Sequence, residues 1–136
     1  MTTDPKFQSL VHDLKNWLEL EQQRESMKAA GLNSATDAFR PTAIYLEQLG
    51  KELKDNVDHT ISIGQIGRWS EGPDRKFSAR YEVHFKGHVC HALLFTMQDK
   101  QIKIDEHIFE VGDQSALEGM LGKIIVEAIK RESSRH

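Results

Sequence analysis

Cysteine is almost missing from this chain: Cys90 is the only one in 136 residues. No internal disulfide can form, which excludes the stapled scaffolds of small secreted domains. Long apolar runs are missing too. The longest, Ala92–Phe95 and Ile124–Val126, fall far short of the ~20 residues of a membrane-spanning helix, so no membrane association is expected. No apolar segment follows Met1, Thr2 excludes myristoylation, and Ser-Ser-Arg-His is no prenylation box. A cytoplasmic protein without leader or lipid anchor is the expectation.

A strong charge of one sign is also lacking. With 18 Lys+Arg against 21 Asp+Glu the net charge is −3. Phosphate neutralisation needs a basic surface, so nucleic acid is disfavoured as a partner. The spacings that announce chemistry are absent: no C-x-x-C and no H-E-x-x-H occurs. Gly64-Gln65-Ile66-Gly67 lacks the Lys-Ser/Thr of a phosphate loop. No metal and no cofactor is implied, and no catalytic residue stands out.

What is present is globular: 38% apolar and 29% charged residues suit a folded domain and not a disordered chain. One domain over 1–136 is expected, with a helical hairpin (1–58), an antiparallel sheet (59–112) and a C-terminal helix (113–136). Phe7, Leu10, Val11, Leu14, Trp17 and Leu18 share one helical face. Asp4 is a suitable N-cap, Pro5 suits the first turn, and Gly31 suits a helix stop. A second helix from Arg40-Pro41 to Val57 carries Ile44 or Tyr45, Leu46, Leu49, Leu53 and Val57. Joined by a short loop, the two form an antiparallel pair.

After Asp58 the apolar period changes to two. Thr60–Arg68, Phe77–His84, His88–Met97 and Gln101–Val111 read as four antiparallel strands, with a bulge at Gly64 and a surface loop over Trp69–Lys76. Ser115 and Glu118 read as a capping box. They open a helix with Leu117, Met120, Leu121, Ile124, Ile125, Ala128 and Ile129 on one face. The expected fold is α+β, in the order α-α-β-β-β-β-α, with helices covering one sheet face. Gly119 and Gly122 weaken that last helix, which calls for a close neighbour.

Register decides which side chains meet. A turn at Gln98–Gln101 pairs Met97 with Ile102 and Phe95 with Ile104. A three-residue loop Phe85-Lys86-Gly87 then pairs Val83 with Val89 and keeps Phe77, Ala79, Tyr81 and Val83 on the core face. His91 falls opposite Tyr81. The outer face receives Glu82, His84, His88, Cys90, Ala92 and Leu94, with His84 facing His88 and Glu82 facing Cys90. That face mixes polar and apolar residues, where a one-sided sheet is normally polar outside.

Three functions follow as expectations. The first is a protein-binding or adaptor module, a homodimer or one that meets another protein through that outer face. The second is a small-ligand binder or enzyme, with a pocket between sheet and helical hairpin lined by Tyr81, His91, Trp17 and Tyr45. The third is nucleic-acid association through Arg68–Arg80, where Trp69 lies among basic residues; the plainer reading packs Trp69 on the helices. For Glu82, His84, His88 and Cys90 the plainer reading is a solvated hairpin end, although the residue types are those of a zinc site. The acidity is local: residues 1–58 hold 7 Lys+Arg and 10 Asp+Glu, and residues 59–136 hold 11 of each.

Overall fold

The computed structural model describes residues 5–135. It is α+β: one long helix, α1 (Gln8–Asn56); five strands, β1 (Ser62–Glu71), β2 (Phe77–Phe85), β3 (His88–Gln98), β4 (Gln101–Ile104) and β5 (His107–Glu110); and a helix α2 (Gln114–Ser134). The strands form one antiparallel sheet in the order β1-β2-β3-β4-β5. Two compact units emerge, Met1–Asn33 and Ser34–His136. Among the described residues no helix is long and apolar enough to cross a membrane. The Asp4 cap lies outside the described residues.

The expected helical hairpin is corrected to a single helix. Gly31 and Pro41 both lie inside α1, although they disfavour a helix by about 1 and 3 kcal/mol against alanine. Packing on both sides of Pro41 holds the helical path. Phe39 is 2% exposed and meets the rings of Trp69, Tyr81 and Phe95 at 5.2, 5.8 and 4.9 Å. Thr42 is fully buried and accepts a hydrogen bond from Gln114 Nε2 at 3.3 Å. The buried stripe is therefore Ala35, Phe39, Thr42, Leu46 and Gly50, while Ile44 and Val57 are exposed.

The expected four strands are corrected to five. Asp105, at φ 52°, turns the chain so that Ile104 pairs with His107 and Ile102 with Phe109. The β3–β4 pairing is the expected one, Met97 with Ile102 and Phe95 with Ile104. The β2–β3 connection differs. Lys86 and Gly87 have φ 51° and 78°, a two-residue turn pairing Phe85 with His88 and His84 with Val89. The register then shifts, and Val83 pairs with His91. The extra residue is Cys90. This bulge returns Tyr81, Leu93, Phe95 and Met97 to one buried face.

β1 also runs further than expected, through Trp69 to Glu71, and its irregularity falls between Ile66 and Ser70. There Gly67 has φ 75°, a conformation that favours glycine. Within Ser34–His136 the core is one sheet face against two helices. Phe77, Ala79, Tyr81, Val83, Leu93, Phe95, Met97, Ile102 and Ile104 meet Leu46 of α1 and Leu117, Leu121, Ile125 and Ala128 of α2, all at most 8% exposed. α2 begins at Gln114 with Asp113 as N-cap and no side-chain capping bond, so Ser115 lies inside the helix and the expected capping box does not form.

Candidate functional site

The N-terminal unit carries the largest uncovered apolar feature. Phe7, Leu10, Val11, Leu14, Trp17 and Leu18 are 49, 65, 39, 59, 58 and 53% exposed. Phe7 and Leu14 take heptad positions a, Leu10 and Trp17 positions d, Val11 and Leu18 positions e. That stripe is wider than a two-stranded seam and matches a helix facing a packed neighbour. Its flanks are balanced: residues 5–33 hold Lys6, Lys15, Arg24 and Lys28 against Asp13, Glu19, Glu21 and Glu25. One turn past the stripe, Arg24 donates to Glu21 Oε1 at 3.1 Å, and the a and d positions there are charged.

The outer sheet face is the second surface. Leu94, Ile66, Ile108 and Val89 are 52, 46, 59 and 49% exposed, and Ala92 is exposed beside Leu94. Between them runs a polar line along β2. Glu82 accepts from Arg80 Nη2 at 3.2 Å through one oxygen and lies 3.1 Å from His84 Nε2 through the other. Glu82 faces Ala92 and His84 faces Val89, which corrects the expected Glu82–Cys90 and His84–His88 pairs. His88 is exposed at the hairpin end.

Cys90 leaves this cluster because the bulge re-aims it. Its thiol donates to the Val83 carbonyl at 3.3 Å. Burial pushes the thiol up from its ordinary value; the nearby charge of Glu132 on α2 raises it further and that of Arg131 lowers it. A thiol held protonated is a poor nucleophile. Among the described residues no group of three His, Cys, Asp or Glu side chains is placed to hold a metal ion.

The four residues expected around a pocket stand as follows. Tyr81 is 8% exposed and packs edge-on against Phe95 at 5.4 Å. Tyr45 turns to α2, where a Cβ on Gly122 would lie 2.9 Å from its hydroxyl. Gly122 is thereby explained, while a Cβ on Gly119 would meet open space. Burial first, and Glu118 second, raise the Tyr45 pKa, and burial raises that of Tyr81. His91 lines a groove of ~500 Å³ with Asp105, His107, Lys123, Glu127 and Arg131, and its Nε2 is buried without a hydrogen-bond partner. Tyr81, Tyr45 and His91 are thus in three different surroundings. Trp17 belongs to the N-terminal stripe.

Trp69 is half-buried and packs edge-on against Phe39 of α1, which is the plainer reading. Sequence reasoning missed the edge of β1; of the four residues expected around a pocket between sheet and helix, Tyr81 lines the groove between α1 and β1. The signal was present in Ser62–Gly67, a strand stretch with two glycines and no charge.

Compared with known protein families, curated proteins and solved structures, the chain matches none.

Proposed function

We propose that this protein is a protein-binding adaptor that pairs with a second copy of itself through the N-terminal stripe of α1. The observation that carries the reading is the exposure of six large apolar side chains, Phe7 to Leu18, on one helical face. At roughly 150–250 Å² for a large side chain, the exposed part amounts to about 600 Å² per copy. Two copies would bury about 1,200 Å², the lower bound of a stable, specific interface.

A like partner fits the charges. The stripe itself carries no charged residue, and its flanks hold four of each sign, so two copies meet without net repulsion. A membrane surface fits less well, because a surface-binding helix concentrates Lys and Arg on its polar face. An isologous, two-fold pairing closes on itself. Sedimentation velocity over the micromolar range tests the reading. A reversible dimer is the expected result, and a strict monomer throughout removes the pairing.

A further inference from the structure

The unit Ser34–His136 has an unpartnered element of its own, independent of the helical stripe. β1 is the last strand on its side of the sheet, and eight of its ten residues are exposed. One edge pairs with β2. The other presents the backbone N–H and C=O groups of alternate residues. Natural edges of this length are blunted by lysine, proline or inward-pointing charge. Ser62–Gly67 has none of these; its one irregularity is the bulge after Ile66.

α1 runs beside this edge. A Cβ built on Gly50 would lie 3.5 Å from Ile63 Cβ and 3.6 Å from the Ile63 backbone nitrogen. Leu46, Glu47, Gly50, Lys51 and Lys54 line one side of a groove of ~500 Å³, and Ile61–Gln65 line the other. The site thus combines an open strand edge, an apolar trough over Leu46 and Gly50, and two lysines against one acid.

We propose that β1 and this groove bind an extended segment of a partner protein by strand addition. Its backbone pairs with Ser62–Ile66, one apolar side chain sits between α1 and β1, and an acidic side chain meets Lys51 and Lys54. In strand addition the main chain supplies affinity and alternate side chains supply specificity, and both elements are present here. A second copy of β1 is the poorer occupant. The straight stretch Ser62–Ile66 has no acidic residue, so a copy paired through it brings no carboxylate to the two lysines.

The test uses the full chain and capped peptides of the length of β1. One set alternates valine and threonine with an aspartate pair near one end; the matched set carries lysines there instead. The readout is amide hydrogen exchange and amide chemical shift at Ser62–Ile66. The aspartate peptide is expected to protect these amides and to bind about tenfold tighter than the lysine peptide. The double variant Lys51→Glu/Lys54→Glu, at two exposed positions, is expected to reverse the preference with the fold unchanged. Equal binding of both sets overturns the proposal, as does millimolar peptide that leaves the β1 amides unmoved. Concentration-dependent protection of β1 without peptide also overturns it and assigns the edge to self-pairing. None of these readouts depends on the N-terminal stripe, whose pairing is read separately by sedimentation.

Discussion

Truncating Leu14 to alanine should split the pair while leaving each copy folded. Leu14 is 59% exposed, so in the single chain its outer methyls touch little but water. On pairing, roughly 45 Å² of the area that leucine has and alanine lacks would leave water, about 1 kcal/mol per copy at 25 cal/mol/Å². The dimer contains the residue twice, so the loss is about 2 kcal/mol, or near thirtyfold in dissociation constant. The helix itself is not weakened, because alanine is the better helix former. Sedimentation equilibrium measures the constant, and urea unfolding of the diluted protein measures the monomer. The necessary contrast is Leu46→Ala, at 1% exposure. It should cost 2–5 kcal/mol of fold stability through the cavity left behind and leave the dissociation constant as it was. A Leu14→Ala protein that sediments like wild type would refute the reasoning, as would one that loses stability as Leu46→Ala does.

Three further outcomes follow from the same geometry. Gly119→Ala should stabilise α2 by about 0.5–1 kcal/mol, since the added methyl meets open space. Gly122→Ala should gain less or lose, because its methyl meets the Tyr45 hydroxyl; equal urea midpoints would contradict this. The Asp58 carboxyl is held below its ordinary 3.8, first by the Thr60 hydroxyl and then by the Thr60 amide. A lowered folded value means that the contribution is present above the unfolded pKa and lost as pH falls through the folded one. The stability gap between wild type and Asp58→Ala should therefore close below pH 3.8, and a gap that persists there would count against the turn. Tyr45 and Tyr81, the only tyrosines, are raised above 10.0. Their contribution is whole below pH 10.0 and is lost as pH rises through the folded values. Phenolate absorbance should appear later in the native protein than in urea, and coincident titrations would refute the burial.

The legible parts of the fold were those where period alone decides. The α2 stripe, the β3–β4 register and the buried face of β2 each follow from spacing, because one buried face admits one parity. The misread parts were those where tertiary packing overrides a local signal. Pro41 reads as a boundary, yet Phe39 and Thr42 are anchored on either side of it, and one helix results. The β2–β3 hairpin required two irregularities at once, a Lys86-Gly87 turn and an extra Cys90, and either alone would split the core. The Asp105-Glu106 turn was hidden because Ile104 and His107 continue an apolar–polar rhythm across it. Reading one strand there puts Ile108 on the inner face; the hairpin turns a half-buried Phe109 to that face, opposite Ile102, and leaves Ile108 exposed.

The stripe Phe7–Leu18 was read as a helical face from sequence, but its role depends on what it meets, which periodicity cannot say. The same holds for the edge of β1, since strand order comes from the whole sheet and not from any segment. The three-residue loop groups Glu82, His84 and Cys90 by a register that is one residue from the one formed at His84 and two residues from it at Glu82. The bulge that restored the core also moved the thiol.

The central claim is that the Phe7–Leu18 stripe is a seam between two copies. Isotope-filtered nuclear Overhauser spectra on a mixture of labelled and unlabelled protein address it most directly. Cross-peaks from the Trp17 indole of one copy to the Leu10 and Leu14 methyls of the other are the predicted result. Their absence at concentrations where the protein sediments as a dimer, or intermolecular cross-peaks confined to the sheet residues Ile66, Leu94 and Ile108, would contradict it.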